Sequence, residues 1–491
     1  TMTASTTARP VCACQDGLMD DGLHFEPFVH LADLDDDQVL IAWGGFWFRP
    51  FPDGRGWRTV DDEELHEVDR GRTESIGVRS EPYGDAQVRV FDGGGRLAGE
   101  ARTRETNHVW VKGLDSATEY RYEITVDGSP WAPDSCMRWQ PIDGDRGELR
   151  PAGRTYDCRF RTFPEPGAAT TARFAAFGDY GIGIQTGDDA GRHQRHIASV
   201  LEHLVEDPGI DFVVTLGDNI YHDEDNSAGG SGREDDDWYF SYYEPYRFVM
   251  SRVPVYPSVG NHDVSETEHS DDRGQLADNH FTDLRFNASV EEDRDIVEIE
   301  GNDLPGLFYR VSFGRLVELL CIDTSEASAF EVDRYFDDPE HQPFLNQAFD
   351  LARADRSRWL IPFGHHPPYC AGPKHHNDEA QIRSLVPRYQ DAGVRVVLSG
   401  HEHNFQHAVN DGIHYLVSGA AGKLRPGQPE GADAAGLRSW AAEPHLLLVE
   451  ADADRISILP VASLDTAGRP VPVEARAVGG GTADMPIVIT R

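Results

Sequence analysis

Cysteine is scarce, at six residues in 491. The six show no metal-finger spacing, which argues against a cysteine-held zinc module. Cys12 and Cys14 fall in a polar N-terminal stretch. Cys321 lies inside an apolar run and reads as a buried free thiol. Cys136 and Cys158 could pair. Long apolar runs are also missing, and no stretch reaches the length of a bilayer-spanning helix. The N-terminal segment TMTASTTARPVCACQDG lacks the hydrophobic centre of a secretory signal. A cytoplasmic protein is therefore expected, with removal of a targeting segment as the alternative. Positive charge is the third shortage: 45 Lys and Arg stand against 85 Asp and Glu, a formal charge of −40. Such a surface repels nucleic acid and anionic membranes over long range, so neither is expected as a partner. An anionic substrate would then need local positive charge, which a metal ion supplies.

The chain does have apolar mass, with 39 % hydrophobic residues and 9 Trp. Its length predicts two or three domains. Residues 1–22 read as a flexible polar arm. From 23 to 163 the signals are short strands separated by Gly, Pro and Asp: QVLIAW (38–43), AQVRVF (86–91), NHVWVKGL (107–114) and TEYRYEITV (118–126). Period-two alternation, as in Tyr120, Tyr122, Ile124 and Val126, predicts a β-sandwich. The aromatic cluster Trp43, Phe46, Trp47, Phe48 and Phe51 reads as core or interdomain contact, with a wall of the substrate cleft as the alternative.

A composition shift at FPEPGAATTA, 163–172, reads as a linker. After it, strands predicted at 172–179, 211–216, 254–260, 316–323, 358–364 and 394–400 alternate with helical stretches. One of these places Ile197, Val200, Leu201, Leu204 and Val205 on a single face and stops at Asp207-Pro208-Gly209. Another is expected near 236–250. This pattern predicts an α/β domain over 170–462. Residues 463–491, rich in Pro and Gly, are set apart as a C-terminal extension. HDEDNSAGGSGREDDD, 222–237, reads as a solvated loop that could overhang a site.

Five strand ends in the second domain carry polar residues of one chemical kind: GDYG (178–181), GDNIY (217–221), GNHD (260–263), GHHP (364–367) and GHEH (400–403). Each begins with glycine and follows an apolar run. Ligands of α/β sheets bind beyond the carboxyl ends of strands, so the five ends can converge. Singly, each motif is ordinary turn chemistry. Together they supply Asp179, Asp218, Tyr221, Asn261, His365, His401 and His403, oxygen and nitrogen donors in numbers that suit two metal ions.

The order and content of these motifs resemble the calcineurin-like metallophosphoesterases over roughly residues 170–460, and more narrowly the purple acid phosphatases, through Tyr221. The resemblance implies a four-layer α/β sandwich of sheets flanked by helices. The segment HVWVKGLDSATEYRYEITVDG likewise resembles the closing strands of a fibronectin type III domain. The purple acid phosphatase resemblance also implies an Fe(III) site of Asp179, Tyr221, His403 and bridging Asp218. A divalent site (Fe, Zn or Mn) would combine Asn261, His365, His401 and the same Asp218. Metal-bound hydroxide would attack phosphorus in line and hydrolyse a small-molecule phosphate monoester. A phosphodiesterase or nucleotide pyrophosphatase on the same core is the alternative. His262 is implied as the catalytic histidine, with Asp263 orienting its ring. His375 and His376, in PKHHNDE, resemble the paired substrate-binding histidines of the plant-type members, although the gap from His365 is one residue longer than expected. His366 is an alternative ligand to His365. Lys423 and Arg425, in AAGKLRP, read as loop charges that could approach an anionic substrate.

Overall fold

The computed structural model describes residues 22–60, 68, 82–134, 136–143, 146–185, 187–221, 238–263, 308–325, 335–337, 341–376 and 380–491. The polar arm up to residue 21, with Cys12 and Cys14, and the loop 222–237, with His222, lie outside these residues.

Among the described residues the chain forms four sheets. Two belong to the N-terminal part. One has six strands and is built on the long antiparallel pair His24–Leu34 and Gln38–Pro50. The other has five and is built on Ala86–Asp92 and Glu119–Val126. Alternation decides the faces here: Tyr120, Tyr122, Ile124 and Val126 are buried while Glu119 and Arg121 are exposed. The Tyr120 hydroxyl accepts from the Asp115 backbone N–H at 2.8 Å, tying the strand to the turn before it. Cys136, Cys158 and Cys321 are free thiols, so the pairing of the first two is not made.

The second part holds a seven-stranded and an eight-stranded sheet. In the first, Thr171–Phe177, Phe212–Leu216 and Val255–Ser258 run parallel. In the second, Val317–Cys321, Trp359–Phe363, Val396–Ser399 and Ile413–Ser418 run parallel. Five of these strands are buried throughout, as parallel strands covered on both faces must be, while Thr171–Phe177 and Ile413–Ser418 keep Thr171, Arg173 and His414 half-buried. The helix Asp189–Glu206 starts at Asp188, whose carboxylate accepts from Gly191 N–H, and it buries the expected stripe from Ile197 to Val205. Around 236–250 the chain makes a π-helical turn, Tyr239–Tyr243, and then the helix Glu244–Met250. Residues 463–491 are not a separate extension. They add Pro470–Pro472 and Ile487–Thr490 to the seven-stranded sheet and Arg476–Ala477 to the eight-stranded one.

The two parts share one apolar core. The Phe28 ring lies 4.2 Å from Tyr243, Phe48 4.9 Å from Tyr239, and Trp139 4.8 Å from Phe240, centroid to centroid. Arg247 reaches across to Glu26 at 2.7 Å and also touches Glu244 at 3.4 Å, in a setting where the arginine side chain is 3 % exposed. Most of the aromatic cluster at 43–51 is accordingly core and interdomain contact: Phe46 and Phe48 meet Tyr239, Trp43 is buried in the shared core and Trp47 packs with Leu23 and Val60, whereas Phe51 is half-buried beneath Arg146. No helix among the described residues is long and apolar enough to cross a membrane.

Candidate metal centre

Four of the five motifs sit at the carboxyl ends of parallel strands of the two sheets, and GNHD follows the short strand Val255–Ser258 in the same way. The chain turns there so tightly that three non-glycine residues take left-handed backbone angles: Asp179 (φ 56°), Asp218 (φ 52°) and His401 (φ 71°). Such angles cost a β-carbon of order 1–3 kcal/mol each and persist where surrounding bonds dictate them. Those bonds are present. Asp179 N–H donates to Gly217 O at 3.0 Å, and His401 N–H donates to the Asp179 carboxylate at 2.9 Å.

Two groups of donor atoms result. In the first, the Asn261 amide oxygen lies 3.0 Å from His365 Nε2 and 3.0 Å from His401 Nδ1, and the two ring nitrogens are 3.2 Å apart. His365 Nδ1 donates to the Leu216 carbonyl at 2.8 Å, so its Nε2 keeps its lone pair toward the group. In the second, Asp179 Oδ1 lies 3.3 Å from both the Tyr221 hydroxyl and His403 Nε2, and the hydroxyl is 3.5 Å from that same nitrogen. Asp218 belongs to both groups. Its Oδ1 is 3.4 Å from His365 Nε2, and it clusters with Asp179 and His403.

The electrostatics fit cations. Burial, and then the charge of Asp218, lifts the Asp179 carboxyl well above the usual range, with the His365 and His401 contacts working against this. Burial and the Asp218 and Asp179 charges push the Tyr221 phenol far up. His401 is driven well below the imidazole range by burial and by His366, His365, His375 and His403. His403 falls to about 3 through burial and the nearby Arg425 guanidinium. His401 and His403, held below the imidazole range beside buried carboxyls that repel one another, form part of a donor set that positive ions would relieve. The residues present therefore fit two metal ions sharing Asp218.

A family model for the calcineurin-like phosphoesterases matches residues 172–405. That match spans just under half of the 491-residue chain. Its curated relatives include purple acid phosphatase 3 of Arabidopsis thaliana, 27 % identical over 52 % of this chain and 65 % of the relative. Tartrate-resistant acid phosphatase type 5 of Homo sapiens is 25 % identical over 53 % of this chain and 76 % of that protein. The chain thus aligns with less than two thirds of the Arabidopsis protein. Two solved structures share the fold across both parts of the chain. PhoD matches with TM-score 0.59 and 12 % identity, covering 94 % of this chain and 93 % of that one. A purple acid phosphatase from yellow lupin seeds, PPD1, matches with TM-score 0.56 and 14 % identity, covering 92 % and 74 %.

Within this site all seven expected ligand residues come together. His262 is partly exposed at the rim, its ring centroid 4.5 Å from that of Tyr221 and its backbone N–H on Asp218 Oδ1 at 2.9 Å. Asp263, expected beside the His262 ring, has its carboxylate engaged elsewhere. It accepts from Gly260 N–H at 2.6 Å, Asn219 N–H at 2.9 Å, Ile220 N–H at 3.1 Å and the Asn219 amide at 2.8 Å. It therefore locks the GDN and GNHD turns together. His366 joins a cluster with His365 and His401, and its ring centroid is 4.2 Å from that of His401. The expected pair divides: His375 covers His401 at 3.8 Å between ring centroids, whereas His376 is exposed. His407 pairs with His414 at 2.9 Å on the hairpin behind the site.

Two contributors, Thr324 and Glu402, carried no signal in the motifs, and a third, Lys423, was read only as a loop charge. Thr324 Oγ1 accepts from the His365 and His366 backbone N–H groups at 3.1 and 2.8 Å. Glu402, between two ligand histidines, is fully buried and receives Arg425 at 2.8 Å and His375 N–H at 2.8 Å. Lys423 lies 3.8 Å from the Tyr221 ring centroid. A buried acid inside a His-x-His motif was the only available hint, and it has no period or spacing to mark it.

Proposed function

We propose that this chain hydrolyses phosphate monoesters with a dinuclear centre of the purple acid phosphatase kind, holding Fe(III) and a divalent Fe, Zn or Mn ion. One observation carries the reading: two compact donor groups share Asp218 and open beside His262. Carboxylate and phenolate from Asp179, Asp218 and Tyr221 suit a hard trivalent ion, while amide and imidazole from Asn261, His365 and His401 suit a divalent one. When bound, the ions supply an activated water and offset the charge gathering on the phosphoryl group.

The side chains do the remaining work. His262 gives a proton to the departing ester oxygen from the rim. His375, laid over His401, donates a hydrogen bond to the phosphoryl group and limits its rotation. The floor made by Asp179, Asp218, Tyr221 and His365, each at most 1 % exposed, keeps bulk water off one side. We assign the catalytic domain to 170–491, since strands within 463–491 complete both of its sheets, with a four-layer order of helix, sheet, sheet and helix. The Tyr120 hydrogen bond supports a fibronectin type III-like sandwich before it.

The test is to load the protein with Fe(III) and Zn(II), record its visible spectrum and compare rates on p-nitrophenyl phosphate and its bis-ester. A broad visible band, lost in Tyr221→Phe, together with faster monoester hydrolysis is the expected outcome. A colourless protein holding two divalent ions and preferring the diester would overturn both the metal assignment and the substrate class.

A further inference from the structure

Lysine is nearly absent from this chain: Lys112, Lys374 and Lys423 are the only three, the other 42 of its 45 basic residues being arginine. Lys112 is exposed on a strand of the N-terminal part. The remaining two stand at the metal centre. Lys374 precedes His375, and Lys423 places its ammonium 3.8 Å from the Tyr221 ring centroid.

The loop that carries Lys423 is fastened to the ligands themselves. Gly422 and Lys423 N–H both donate to the Asp179 carbonyl, at 3.2 and 3.0 Å, and Arg425 N–H donates to the His403 carbonyl at 2.8 Å. The Arg425 guanidinium spans Glu402 at 2.8 Å and His403 Nδ1 at 3.1 Å. Glu402 in turn receives Lys374 N–H at 3.4 Å and His375 N–H at 2.8 Å. One buried carboxylate therefore sets the positions of both loops that flank the centre. It faces Arg425 directly, while the Lys423 ammonium stands against the Tyr221 ring. On a molecule of formal charge −40, a positive group held there opposes the global field where an anion must enter.

Resting on the phosphomonoesterase reading, we propose that Lys423 is a substrate-binding residue whose ammonium holds a non-bridging phosphoryl oxygen and favours dianionic monoesters over monoanionic diesters. Arg425 and Glu402 are positioning residues for it. Coulomb attraction doubles from monoanion to dianion at equal distance, so the preference follows from charge alone. A compact ammonium on a flexible stem can take one oxygen beside the Tyr221 ring, where a planar guanidinium would demand two.

The experiment uses full-length protein loaded with two metal ions and inorganic phosphate as probe, titrated by calorimetry. Lys423→Met should weaken phosphate binding at least about tenfold, as expected for a lost hydrogen bond between charged groups. It should also lower the monoester-to-diester ratio of kcat/KM, with metal content and melting temperature unchanged. Lys423→Arg keeps the charge and should recover part of the affinity, and Lys423→Gln provides a polar variant if the methionine perturbs folding. Lys112→Met should bind phosphate as the wild type does. If wild type hydrolyses monoesters while the Met and Gln variants keep wild-type phosphate affinity, the inference fails alone. If metal-loaded wild type hydrolyses no monoester, the proposed function fails and takes the inference with it.

Discussion

His262 differs from the ligands around it in where it is anchored. Its backbone is held by Asp218 and its ring lies against Tyr221, yet it remains partly exposed, as a group that meets substrate must be. A positioned general acid contributes typically 10²–10⁴ in rate. His262→Ala is therefore expected to lower kcat on p-nitrophenyl phosphate by about 10²- to 10⁴-fold while retaining both ions. Metal analysis beside steady-state kinetics checks this, and a kcat within a few-fold of wild type would remove His262 from the proton step. At this scale the sequence was informative about identity and less so about task. His262 and Asp263 were legible as a pair, but the carboxylate of Asp263 is directed to backbone N–H groups of a turn some 40 residues earlier in the chain. No local pattern encodes that partner.

The elements position the site through their ends, where sheet gives way to turn. Gly217 shows the tolerance. Its φ is +82°, and a β-carbon there would lie 2.5 Å from His365 Nδ1 and 2.8 Å from Gly260 Cα. Both neighbours belong to the site, so neither can yield without moving a donor. Gly217→Ala should destabilise the protein by roughly 2–4 kcal/mol, combining backbone strain and overpacking, and weaken metal retention. Urea unfolding and metal content after dialysis measure the two effects, and wild-type values in both would show that the turn relaxes freely. The elements were the most legible part of the fold. Strands at 171–177, 212–216, 255–258, 317–321, 359–363 and 396–399 fall where apolar runs placed them, all but 317–321 in runs that end in glycine. Residues 463–491 were not legible, because short strands with Pro and Gly acquire their meaning from the sheet edges they complete.

For the whole molecule the decisive feature is the shared core between the N-terminal β-rich part and the α/β part. His30 lies in it, 1 % exposed, with its Nε2 3.4 Å from the Tyr242 hydroxyl across the boundary. Burial pulls its pKa from 6.5 down to about 3. Between these values the unfolded chain binds a proton that the folded chain refuses, so the group weakens the fold progressively as pH falls below 6.5. His30→Gln should be less stable than wild type near neutrality through lost packing. The deficit should shrink by about 2–3 kcal/mol between about pH 7.5 and 4.5, taking 1.36 kcal/mol per unit. Denaturant unfolding of both proteins at the two pH values tests it, and a deficit that does not change with pH would show that His30 is protonated in the fold.

By itself the sequence determined the inventory: seven candidate ligand side chains, each just beyond an apolar run, and a β-rich part ahead of an α/β part. It could do so because a strand ending in glycine and a polar residue is a local signal, readable within about ten residues. Tertiary structure decided which atoms meet. It brought Asp218 into both donor groups, turned Nδ1 of His401 and Nε2 of His365 toward Asn261, assigned Asp263 to the turns, and set Lys423 over Tyr221. Lys423 and Tyr221 are some 200 residues apart in the chain. Their contact follows from how two sheets pack and from a buried Glu402–Arg425 pair, and no pattern along the sequence carries that distance.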